Sequence, residues 1–160
     1  LKALSSGQNQ ERQQAEKLYQ QAKVSEPDGL VVGLLAVLAN QSIDLACRQH
    51  GAVLLRQLVA QGPEKDFALS RMAPQGRQEV ANGLLSLFEA EAGSKLQRKV
   101  GDVVAKLADS ACDTDDHRGW LSPEQRGWPA LLPLVFRMAD VSSNPNTSSC
   151  ECAVRLLNDL

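Results

Sequence analysis

At 160 residues the chain has room for one domain or one segment of a longer array. Its 17 Lys and Arg against 19 Asp and Glu leave a net charge of −2, which excludes a dedicated nucleic-acid or membrane-surface binder, and no apolar run reaches the ~18 residues of a membrane span. The 43% of hydrophobic residues is mostly Leu, Val and Ala, with 4% aromatic, a composition that suits helices packed on helices better than a sheet.

The chain starts at Leu1 inside a helical pattern, and Leu1–Ser6 reads as the stump of a first helix, so a fragment without a signal peptide is expected. The next stretch, "NQERQQAEKLYQ" (9–20), sets a pattern that recurs. Counting from Arg12, a small residue follows at +3 (Ala15), an aliphatic at +6 (Leu18) and Tyr19 at +7. The same order runs from Arg48 (Gly51, Leu54, Leu55), from Arg98 (Gly101, Val104, Ala105) and, with Cys150 at the origin, through Ala153, Leu156 and Leu157. The origins lie 36, 50 and 52 residues apart, the spacing of two-helix repeats with loop insertions. At 100° per residue, +3, +6, +7 and +10 share one face, where small residues admit a neighbouring helix and aliphatics fill the contact. Positions +1, +5 and +8 fall opposite and, Val53 and Val103 apart, are polar.

Each of the later copies has an apolar partner upstream. "DGLVVGLLAVLAN" (28–40) follows Pro27 with Asp28 as the expected N-cap. "QGRQEVANGLLSLFEAE" covers 75–91, and "PALLPLVFRMAD" covers 129–140, with Pro129 at a helix start and Pro133 expected to kink or delay it. The fold class expected is all-α: a HEAT-repeat α-solenoid of about four helix pairs, a right-handed superhelical segment. The repeats are placed at about 1–23, 28–60, 75–111 and 128–160, with a loop over 112–127. Residues 61–74 form a second linker, and "SSNPNT" (142–147) a turn.

Candidate chemistry is thin. Cys47 and His50 stand one helical turn apart, but a nucleophile pair also needs an oxyanion hole and a positioning residue. His117 lies beside Asp115 and Asp116 in a loop that is a poor metal cage. No phosphate-binding glycine spacing occurs, so no cofactor is expected. Cys47, Cys112, Cys150 and Cys152 read as thiols rather than a disulfide framework. Trp120 and Trp128 either anchor the loop on the stack or meet a partner. Arg12, Arg48 and Arg98 are expected to form a structural ladder along the array, helped by Asn9, Asp44 or Ser94. The solvent-facing stripe of the second helices, the concave side of a solenoid, is the candidate partner site: Gln13, Lys17, Gln49, Arg56, Lys99 and Lys106.

Four stretches carry a resemblance: "NQERQQAEKLYQ", "ACRQHGAVLLRQLV" (46–59), "LQRKVGDVVAKLAD" (96–109) and "GWPALLPLVFRMAD" (127–140). Together they resemble the N-terminal HEAT repeats of the importin-β (karyopherin-β) superfamily, nearest to its importin-5 or karyopherin-β3 branch. Cys150 and Glu151 depart from the usual Arg of the fourth copy, and the 111–128 loop is longer than the pattern. The resemblance implies a nuclear transport receptor without enzymatic activity that shuttles between cytoplasm and nucleus. It would carry protein cargo bearing a nuclear localisation signal through the pore and release it on Ran·GTP binding. It implies Ran·GTP at the second-helix face named above, nucleoporins at later repeats, and no direct nucleic-acid or membrane partner. The alternative is a HEAT-repeat scaffold for other proteins, unrelated to Ran.

Overall fold

A computed structural model describes residues 1–5, 7–60, 69, 72–112 and 127–160. A 3-10 turn at Lys2–Ser5 is followed by α1 (Asn9–Ser25), α2 (Pro27–Ala39), α3 (Leu45–Val59), α4 (Pro74–Ala90), α5 (Lys95–Cys112), α6 (Leu131–Ala139) and α7 (Thr147–Asp159). The described residues contain no strand. Helices α2 and α3, α4 and α5, and α6 and α7 pack as hairpins, and α3, α5 and α7 pack side by side. Helix α4 in turn touches both α2 and α6. The result is an all-α, HEAT-like solenoid with α2, α4 and α6 in one layer, α3, α5 and α7 in the other, and α1 resting on α2.

Local chemistry sets the helix ends. Pro27 and Pro74 occupy the first turn, where a missing N–H costs nothing and the fixed φ is already helical. Asp28 is therefore inside the first turn of α2 rather than its cap, placed well for the helix dipole. Helix α6 begins at Leu131, after a turn at Pro129 and Ala130, so Pro133 falls among its first residues, whose N–H groups have no helical partner. Three second helices are capped by side chains. Asp44 accepts from the Cys47 N–H at 2.8 Å, Ser94 from Leu96 and Gln97 at 3.1 and 3.2 Å, and Asn146 from Ser149 at 3.0 Å. Such caps contribute ~1 kcal/mol each.

The core lies between the layers. Val31, Leu34 and Leu38 of α2 meet Leu54, Leu55 and Leu58 of α3; Val80, Leu84 and Phe88 of α4 meet Leu96, Val100 and Val104 of α5. The small residues of the pattern do what their size allows. A methyl group added at Gly51 would stand 2.9 Å from Leu38 Cδ1, and one at Gly101 would stand 3.2 Å from Phe88 Cε2. Trp128 is buried in this core and anchors the entry to α6; Trp120 lies outside the described residues.

The first copy departs from the expected burial. Helix α1 has no buried residue, and Leu18 is 60% exposed. Its sequence offers few apolar side chains, and it rests mainly on the Lys2–Ser5 turn and α2, without the flanking second helix that covers α3 and α5.

Candidate partner-binding face

Helix α5 is backed by α4 and flanked by α3 and α7, which leaves one stripe free, on the side away from the α2–α4–α6 layer. That stripe carries Lys95, Arg98, Lys99, Asp102, Lys106 and Asp109. The corresponding stripe of α3 carries Gln49, Val53 and Arg56, and that of α7 carries Glu151, Val154 and Asn158. Of the six candidate residues, Gln13, Lys17, Arg56 and Lys99 are exposed, while Gln49 and Lys106 are half-buried. The stack brings Gln49 up to α5, where its amide reaches the Lys95 carbonyl at 3.5 Å. Lys106 is engaged with Asp109 at 2.9 Å. Gln13 and Lys17 stand on α1, which is not packed side by side with α3 in the way α3, α5 and α7 pack with one another.

One element of the polar stripe changes sides. Val103 is fully buried, whereas Val53, at the same distance from its own aligned arginine, is 41% exposed. The difference is one of register: α5 is turned so that Gln97 rather than Arg98 faces inward as Arg48 does, which puts Val103 at the place of the buried Leu54 and Asp102 at the place of Val53.

Two ion pairs shape the face. Arg155 of α7 reaches Asp102 of α5 at 3.1 Å and Asp159 at 3.6 Å, joining the last two repeats. Beside it, burial raises the Cys152 thiol above its ordinary pKa, and Arg98 opposes that shift. Cys47 and His50 are both half-buried on α3. Among the described residues no three metal-ligating side chains come together, and His117 is not one of those residues.

Beneath the face runs a buried polar ladder, and its membership corrects the expected one. Arg48 is 6% exposed. Its guanidinium donates to the Leu38 carbonyl, at 2.7 Å from Nε, and to the Glu91 carboxylate at the end of α4. Glu91 also accepts from Ser94 Oγ at 2.8 Å. In the next repeat the equivalent position belongs to Gln97, which donates to the Phe88 carbonyl at 3.2 Å and to Ser149 Oγ at 3.0 Å, and accepts from Gly93 N–H at 2.8 Å. Arg98 is exposed and does not join the ladder: Gln97, one residue earlier, points between the layers in its place. Arg12 is exposed too, bonded locally to Asn9 at 3.1 Å and Glu16 at 3.6 Å, on a helix with no buried residue. Asp44 and Ser94 cap their own helices instead of serving the arginines. Glu91, Gln97 and Ser149 were missed by aligning on arginine. Their signal is position: Gln97 and Ser149 each stand three residues after a capping residue.

On the opposite surface, between α2 and α4, lies an apolar groove of about 460 Å³, floored by Leu35 and Leu87 and walled by Ala36, Ala39 and Gly83. Between α4 and α6 the surface is instead bridged by Arg137 and Glu89 at 2.7 Å. No described helix is long and apolar enough to cross a membrane.

No family model matches the chain, and no solved structure matches it significantly. Among curated proteins it is similar to one described as probable importin-5 homolog, from Dictyostelium discoideum: 31% identical over 157 residues, which takes in 98% of this chain and 13% of that relative. The chain thus spans about an eighth of the relative's length, and the likeness to an importin runs through every helix of the stack.

Proposed function

We propose that this segment is the Ran·GTP-binding part of a nuclear transport receptor, an N-terminal stretch of HEAT repeats whose second-helix face meets the GTPase. The observation that carries the reading is the end-to-end similarity to an importin-5 homolog. It is supported by a two-layer stack whose second helices share one largely polar face, with Arg56 and Lys99 exposed on it and Gln49 half-buried where α3 meets α5. The activity is binding without bond chemistry. Ran·GTP and protein cargo bearing a nuclear localisation signal are coupled through the solenoid, and any GTP hydrolysis takes place on Ran. Nucleoporins engage later repeats, and the receptor shuttles through the pore.

Calorimetric titration of the chain with Ran carrying a non-hydrolysable GTP analogue, beside Ran·GDP, tests this. GTP-selective binding, weakened by Arg56→Glu with Lys99→Glu, is the expected result. Unchanged affinity in that variant sinks the proposed face. Binding to neither nucleotide form, by this chain and by the longest natural chain containing it, leaves a HEAT scaffold for other partners.

A further inference from the structure

We propose that the second-helix face spanning α3 and α5 holds an acidic polypeptide segment that also carries an apolar side chain. The idea shares a face with the Ran reading but does not depend on it.

The acids of the α5 stripe are already taken. Asp102 is paired with Arg155 and Asp109 with Lys106. The cations are not: Arg56, Lys95, Arg98 and Lys99 are exposed and ion-pair with no carboxylate among the described residues. The face is therefore positive on a chain whose net charge is −2. Position sharpens the point. Lys95 opens α5, and Arg98 and Lys99 follow within the next turn, with no acidic residue in the first turn. That end of a helix carries positive partial charge, so cations there are unfavourable, and three within five residues also repel one another. Among the described residues no carboxylate forms an ion pair with any of the three. A local preference broken without internal compensation marks residues kept for a contact from outside.

The apolar component is Val53, 41% exposed on α3 between Gln49 and Arg56. A carboxylate-rich segment can pair with the α5 cations while one aliphatic side chain covers Val53. A nucleic acid fits less well. Single strands need aromatic platforms, and among the described residues this face has none, Phe88 and Trp128 being buried.

Fluorescence anisotropy with a labelled Asp/Glu peptide containing one central Leu provides the test, at low and at physiological salt. Binding should weaken with salt. Lys95→Glu and Arg98→Glu should each weaken it by about three- to tenfold. Lys23→Glu, on the exposed end of α1, serves as the charge-matched control and should leave it unchanged. Equal loss in Lys23→Glu, no peptide binding, or equally tight binding of an oligonucleotide of matched charge overturns the proposal. No peptide binding alongside GTP-selective Ran binding overturns this proposal alone. Peptide binding without Ran binding overturns only the Ran reading.

Discussion

Replacing Arg48 by Leu should be the most damaging single substitution on the ladder. The arginine is 6% and Glu91 8% exposed, so removing one leaves a carboxylate in the interior whose remaining side-chain partner is the Ser94 hydroxyl. The Leu38 carbonyl loses its side-chain donor as well. Breaking a buried pair from one side typically costs ~3–5 kcal/mol. For a chain of this length each kcal/mol moves Tm by roughly 2–4 °C, so the fall should be about 6–20 °C. The double substitution Arg48→Leu with Glu91→Leu removes both charges and should recover most of that, because apolar side chains of similar volume replace buried pairs at little net cost. Urea unfolding followed by circular dichroism, with thermal melts beside it, gives the cycle. A single-substitution loss below about 1 kcal/mol, or a double no more stable than the sum of its singles, would refute the buried-pair argument.

Lys95→Glu should raise stability by roughly 0.3–1 kcal/mol, since it puts an acid where the α5 dipole favours one; urea midpoints measure it, and a loss would undo the argument that the cation is locally unfavourable. Gly93 holds φ at +78° and lies against Asn146, so Gly93→Ala should destabilise by more than about 1 kcal/mol, with an unchanged melting temperature as the contrary result. The Asp140 carboxyl is held below its ordinary pKa, first by the Ser143 hydroxyl, then by the Ser142 hydroxyl and N–H. Its stabilisation of the turn after α6 is present above the unfolded carboxylate value, about 3.9, and is lost as pH falls through the lower folded value. Ser143→Ala should move the Asp140 titration upward in a carbon-detected NMR experiment, and an unmoved curve would rule out that hydroxyl as the main cause.

Much of this protein is written in short stretches of its sequence. Pro27 and Pro74 set helix starts through their fixed φ, Asp44, Ser94 and Asn146 through bonds that reach no more than three residues, and the 3.6-residue period sorts buried from exposed faces. Those effects are local, so a single sequence displays them. The tertiary structure decided the rest. Arg48 and Glu91, like Gln97 and Ser149, meet across separate repeats, and no local rule says which polar residue of a helix end will point between the layers. Val53 and Val103 stand at the same distance from the aligned arginines, yet only Val103 is buried, because α5 is turned by one residue so that Gln97 faces inward in place of Arg98. Leu18 follows the core pattern but is left in water, because burial requires a neighbour and α1 has no second helix packed along it as α3 and α5 have. Periodicity defines which face of a helix can be buried; the helices packed around it determine how much of that face is.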